Sequence, residues 1–181
     1  MTRLRLFIAV DLPTPIHQEI LGLGQSIPGS RPVPEEQLHL TLKFIGEVDG
    51  AMALDIGEAL ATIEHPAMQM ALRGVGCFPP RGEPRVLWVG LASKESVITL
   101  RNKVEKKLAD IGIAREKKKF APHFTIARLK AAPIQRVQQF LAGNNLLQSS
   151  TFTIDSFHLY KSQLTTKGAI HTQLQSYPLH R

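Results

Sequence analysis

Two short segments of this chain repeat one pattern of side chains, His39-Leu40-Thr41-Leu42 and His123-Phe124-Thr125-Ile126. In a β-strand successive side chains point to opposite faces, so each segment places an imidazole and a hydroxyl on one face and two apolar groups on the other. The apolar face can enter a core while the polar face opens into a cleft. Two such strands opposed would bring two histidines and two threonine hydroxyls together, a set suited to chemistry on a phosphate. An unperturbed imidazole titrates near pH 6.5, so near neutrality one can take a proton from water while the other, protonated, gives one to a leaving oxygen. Hydroxyls donate hydrogen bonds to phosphoryl oxygens, and donors placed where charge develops are usually a large catalytic term. The expected reaction is in-line attack on phosphorus with acid and base on opposite sides. On chemistry alone the two imidazoles are interchangeable.

Other residues near these motifs are candidates for the same site. Strict alternation puts Lys43 on the face of His39 and Thr41, where it could neutralise a phosphate. Arg128 falls by the same rule on the face opposite His123 and reaches the cleft only through a bulge, a strand end or its own length. Phe7 and Trp88 are candidates for stacking a base or for core packing. The other five histidines, His17, His65, His158, His171 and His180, show no metal-ligand spacing. No Gly-rich phosphate loop is present, so neither a metal nor any other cofactor is expected.

The elements that must hold these residues follow from pattern. Strands are expected at Leu4–Val10, Leu38–Val48, Met68–Leu72, Val86–Leu91, His123–Leu129, Phe152–Tyr160 and Ala169–Tyr177. Helices are expected from Pro13 to about Leu23, capped by Asp11 or Thr14, and at Ala51–Ile63, Ser93–Ile111 and Pro133–Leu141. The motifs stand 84 residues apart, from 39 to 123, one in each half of a chain of 181. This predicts an α+β, bilobal fold in which two pseudo-symmetric antiparallel sheets with outer helices surround a central cleft. Residues 1–181 are expected to form a single domain with one motif per lobe.

Composition narrows the partners. The net charge of +7 favours an anionic partner, and much of it clusters around the second motif in Arg115, Lys117, Lys118, Lys119, Arg128 and Lys130. The single cysteine, Cys77, permits no internal disulfide and suits a reducing compartment. No base is adjacent to it in sequence, so it is not expected to be a nucleophile. The first ten residues read as a strand rather than a signal peptide, and no apolar run approaches the roughly 20 residues that span a bilayer. A soluble, cytoplasmic monomer without membrane contact is expected.

At these residues the chain resembles the 2H phosphoesterase superfamily, and within it the RNA 2',3'-cyclic phosphodiesterases also called 2'-5' RNA ligases. The likeness runs through Arg5-Leu6-Phe7-Ile8-Ala9-Val10-Asp11-Leu12-Pro13, Leu38 to Glu47 around the first motif, Arg85 to Leu91, and Pro122 to Arg128 around the second. The resemblance implies that His39 donates a proton to the leaving 3'-oxygen, that His123 activates water, and that Thr41 and Thr125 hold the phosphate. The implied partner is an RNA with a 2',3'-cyclic phosphate end, or a related nucleotide. The implied product is an RNA 2'-phosphate made from the cyclic end, and joining that cyclic end to a 5'-hydroxyl is the ligase activity that gives the family its other name. Near the C-terminus the commoner Glu-Ser and a final-strand aromatic are replaced by Lys161-Ser162 and Ile170-His171. The competing reading is a module that binds RNA ends or nucleotides in the same cleft without turnover.

Overall fold

The computed structural model describes residues 2–180; Met1 and Arg181 of the expected domain lie outside them. The described residues fold into two four-stranded antiparallel sheets, one two-stranded sheet and four α-helices. The first sheet holds β1 (Arg3–Asp11), β3 (His39–Asp49), β9 (Ser156–Thr165) and β10 (Gly168–Pro178) in the order β10-β9-β1-β3. The second holds β2 (Ser30–Pro32), β5 (Leu72–Phe78), β6 (Val86–Leu91) and β7 (Phe124–Leu129) in the order β2-β7-β6-β5. A short pair joins β4 (Met68–Met70) to β8 (Phe152–Ile154).

The halves of the chain share a pattern, and their strands cross over between sheets. Strand β1 pairs with β3 as β6 pairs with β7. However, β2, from the first half, hydrogen-bonds to β7, while β9, from the second, hydrogen-bonds to β1. Each sheet therefore contains strands from both halves, and the two motif strands are built into one continuous structure. Strand β1 is central and closed on both faces. Leu6, Ile8 and Val10 enter the main core, while Phe7 and Ala9 form a small buried cluster with Tyr160 of β9.

The helices cover the core faces. Helix α2 (Gly50–Ala61) begins where the Asp49 carboxylate accepts from the Met52 amide at 2.8 Å, and it buries Ile56, Gly57 and Leu60. Helix α3 (Glu95–Asp110) buries Val97, Leu100, Val104 and Leu108 at the expected three-and-four spacing, together with one carboxylate, Glu105. Helix α4 spans Ile134–Gly143. Helix α1 is shorter than expected, Thr14–Glu19, and Pro13 at its N-terminus makes no side-chain cap; neither Asp11 nor Thr14 serves there. The Gly- and Pro-rich stretch from Ser26 to Pro34 contains β2, which covers the edge of β7. The strand expected over Phe152–Tyr160 breaks at Asp155 into β8 and β9. Among the described residues no helix is long and apolar enough to cross a membrane.

Candidate active site

Each motif strand carries a bulge one residue beyond its threonine. On β3, Thr41 pairs with Ala9 and Lys43 with Ile8, so Leu42 is the extra residue. On β7, Thr125 pairs with Trp88 and Ala127 with Leu87, so Ile126 is the extra residue. A bulge of this kind shifts every later side chain to the other face. From each threonine onward burial runs the same way: half-buried threonine, two buried residues, one exposed.

The two bulges send different residues to equivalent places. Lys43, expected beside the phosphate, is turned to the core face and is only 5% exposed. Its ammonium donates to Glu105 of α3 at 2.8 Å and to the Ala114 carbonyl at 3.0 Å. The assignment of Lys43 to substrate binding is therefore corrected: the parity argument failed at Leu42. Phe44 takes the open-face position instead, 68% exposed, with its ring 6.1 Å from that of Phe7. Arg128 is the counterpart of Phe44, and the bulge carries it to the face of Thr125, where its charge is felt by His171 of β10. That interaction reaches from one sheet to the other.

His39 is buried, and its Nδ1 lies 2.9 Å from Asp11, its cross-strand partner at the end of β1. An ionised carboxylate only accepts, so Nδ1 carries the hydrogen and Nε2 is directed elsewhere. Asp11 is the hub of this corner. The Tyr160 hydroxyl donates to the same carboxylate oxygen at 2.6 Å, and His158 Nε2 lies 3.4 Å from the other. Burial pushes Asp11 upward, but the hydrogen bonds from His39 and Tyr160 and the charges of His158 and His39 outweigh it and hold the carboxyl below its ordinary value. The same burial, with Asp11 as partner, pushes the Tyr160 phenol far up, so it remains a donor. Phe7, Tyr160 and His171 surround the His39 ring, with centroids at 5.8, 4.5 and 5.5 Å. Nε2 of His39 is buried and has no partner.

His123 is held differently. Its Nδ1 donates to the carbonyl of Ala121 at 2.6 Å, which again leaves Nε2 free. Among the described residues no carboxylate stands behind it, and the fold explains why. The residue two beyond Trp88 on β6 corresponds to Asp11, two beyond Ala9 on β1; it is Gly90, where even a Cβ would lie 2.9 Å from the Arg73 carbonyl oxygen. Apolar rings complete the wall, Phe78 at 4.9 Å and Trp88 at 6.0 Å between centroids. Burial among them lowers the His123 pKa below its ordinary value and outweighs the opposing hydrogen bond to Ala121. The two imidazoles are thus chemically distinct: one is backed by a negative charge, the other is kept neutral by its surroundings.

Trp88 lies flat on Gly76, its partner in β5, where an added Cβ would fall 2.0 Å from the indole. Gly76→Ala must therefore displace the indole that stands beside His123. Turnover is expected to fall by up to about 10²-fold, with a change in the fluorescence of Trp88, the chain's single tryptophan. Thr41 and Thr125 are half-buried on the open faces of their strands. The basic residues Arg115, Lys117, Lys118 and Lys119 are exposed on the loop preceding His123. Cys77 is free, its thiol bonds to the Pro79 carbonyl, and burial pushes its pKa up, which disfavours the thiolate. Among the described residues no group of three or more His, Cys, Asp or Glu is arranged to hold a metal ion.

Asp11, His158, Tyr160 and His171 were not among the residues expected at this site from sequence. A signal existed for Asp11, which an antiparallel pairing of the first two strands could have set opposite His39, and for His171, which stands in the final strand where the resemblance places an aromatic.

Comparison with known proteins places these residues in a wider group. The 2'-5' RNA ligase superfamily pattern matches residues 13–166. An RNA 2',3'-cyclic phosphodiesterase of Aeropyrum pernix is 37% identical over 144 residues, which cover 78% of this chain and 82% of that protein. Another from Thermus thermophilus is 36% identical over 188 residues, covering 97% and 90%. The crystal structure of E. coli LigT complexed with 3'-AMP superposes with a TM-score of 0.80 at 25% identity, covering 99% of this chain and 100% of that one.

Proposed function

Because this chain belongs to the 2'-5' RNA ligase superfamily, we propose that it is an enzyme that hydrolyses RNA 2',3'-cyclic phosphate ends to 2'-phosphates by two-histidine acid–base catalysis. The whole of residues 1–181 is read as one functional unit, since each sheet needs strands from both halves. The observation that carries the mechanism is the contrast between the two Nδ1 partners, a carboxylate for His39 and a backbone carbonyl for His123.

The roles follow from that contrast. His123 is neutral near pH 7, with its Nε2 lone pair available, and takes a proton from water as the water oxygen attacks phosphorus. His39, whose doubly protonated ring is compensated by Asp11, gives its Nε2 proton to the 3'-oxygen as the P–O3' bond breaks. The phosphate remains on the 2'-oxygen and the 3'-hydroxyl is restored; the two rings then exchange their protons with solvent. Thr41 and Thr125 donate to the non-bridging oxygens, and Arg128 supplies positive charge from the second sheet. No step requires a metal. Ligation follows the same course with a 5'-hydroxyl in place of water: His123 takes its proton as its oxygen attacks phosphorus, His39 protonates the departing 3'-oxygen, and a 2'-5' phosphodiester results.

The test is incubation of EDTA-treated protein with a short RNA ending in a 2',3'-cyclic phosphate. The expected product is the 2'-phosphate, formed equally well with and without chelator. RNA bound but unchanged under every condition would make the protein a binding module, and activity abolished by chelation would remove the metal-free mechanism.

A further inference from the structure

His171 is an imidazole packed against His39 that the proposed chemistry does not use. It lies on β10, paired with Ser162 of β9, and its position on the sheet continues the row begun by Arg5 on β1. Its ring stands edge-on to Phe7 at 4.8 Å and 5.5 Å from His39. Its Nδ1 is buried and has no hydrogen-bond partner, like Nε2 of His39 in the same cluster. Two unpartnered buried nitrogens in one ring cluster are rare in a folded protein and call for a group that would satisfy both.

The charges around His171 specify that group. Arg5 on β1, His39 on β3 and Arg128 on β7 all act on it with positive charge. Strand β9 presents Tyr160 and Ser162 on this face, neither of them charged at neutral pH. The cluster's one carboxylate, Asp11, is taken up by His39, Tyr160 and His158. Burial and these cations hold His171 in its neutral form while the site is empty. An arriving anion reverses the balance, because an oxyanion set among Arg5, Arg128 and His171 stabilises a second proton on the ring.

On the reading of the site given above, we propose that His171 is a third imidazole of the phosphate site, which takes up a proton from solvent as the RNA end binds and donates from Nδ1 to a phosphate oxygen. It is a substrate-holding residue and not the acid or the base; its proton returns to solvent when product leaves. Substrate capture by this chain therefore strengthens as pH falls toward 6, beyond anything His39 and His123 contribute to turnover.

Calorimetry tests this with an RNA ending in a 2',3'-cyclic phosphate, a group that does not itself titrate near neutrality. The protein carries His123→Ala so that nothing is hydrolysed, and binding heats are compared at pH 7 in buffers of different ionisation enthalpy. Adding His171→Phe is expected to lower proton uptake by about half a proton or more and to weaken binding by about tenfold. His171→Gln, which keeps a hydrogen-bond donor but cannot titrate, is expected to lose the proton uptake equally while recovering part of the affinity. With both catalytic histidines intact, His171→Phe should raise KM and leave the pH profile of kcat in place. Binding with the same proton uptake in all three proteins would overturn the proposal and leave the function standing, as would a loss confined to kcat. No binding by any of them would overturn both.

Discussion

Replacing His123 by alanine is expected to cut turnover of a cyclic-phosphate RNA end by about 10²- to 10⁴-fold, with a much smaller change in binding. His39→Ala should fall in the same range. The double variant should be little worse than either single one, because acid and base act in a single concerted step. The pH profile distinguishes the two rings. His123 works only when deprotonated, so activity is lost as pH falls through its pKa in the folded protein. Burial holds that pKa below the ordinary 6.5, so the acid limb of kcat/KM lies below that pH. Opening the apolar wall with Phe78→Ala should move the limb back up toward 6.5. For His39 the informative substitution is Asp11→Asn, which preserves shape but removes the charge and allows an amide N–H to face Nδ1. A ring held in the wrong tautomer cannot present its Nε2 proton, so a loss of about 10²-fold or more is expected. Stopped-flow or gel assays of the 2'-phosphate product across pH 4.5–9 would read all five variants. If His123→Ala retained activity, or the acid limb lay well above 6.5, His123 would not be the base.

The parts of this site that were legible in the sequence are those encoded locally. A His-x-Thr pattern inside an alternating strand reports its own face, and the same pattern twice reports a pair. The strands at Leu38–Val48 and His123–Leu129 and the helix at Ser93–Ile111 were likewise written in short-range periodicity. The corner behind His39 was not legible. Tyr160 and His158 reach Asp11 because β9 pairs with β1 across some 150 residues of chain, and no local pattern records that pairing. Asp11 was itself misread as a helix cap, since an Asp two residues before Pro13 looks the same in either role. The bulges were partly legible. At Ile126-Ala127-Arg128 two adjacent apolar residues interrupt alternation before a charge, a hint that the face changes. At Leu42-Lys43-Phe44 the residue types invert the usual rule, with the lysine inside and the phenylalanine outside, so hydrophobicity pointed the wrong way.

That inversion at Lys43 carries the second large effect, and it is expected in stability and not in chemistry. Lys43 and Glu105 bury their charged ends almost completely, 2.8 Å apart. The pair also ties down the segment leading to His123, through the Ala114 carbonyl on the lysine at 3.0 Å and the Glu116 amide on the carboxylate at 3.3 Å. Lys43→Ala leaves the Glu105 carboxylate in the interior without its main partner, and a buried pair broken on one side costs about 3–5 kcal/mol. Arg101, 3.8 Å from the same carboxylate, offsets part of the loss and points to the lower end of that range. Replacing both residues, as in Lys43→Met with Glu105→Leu, removes the stranded charge and should restore most of the stability. Urea unfolding reads the difference directly. Per folded molecule, Lys43→Ala should keep KM within about threefold of the original, because the ammonium faces the core and a surface so placed makes no contact with a bound phosphate. A variant that unfolded at the original urea concentration but bound RNA ten times more weakly would return Lys43 to the cleft and displace the bulge at Leu42 as the feature that decides which side chains the first motif strand presents to substrate.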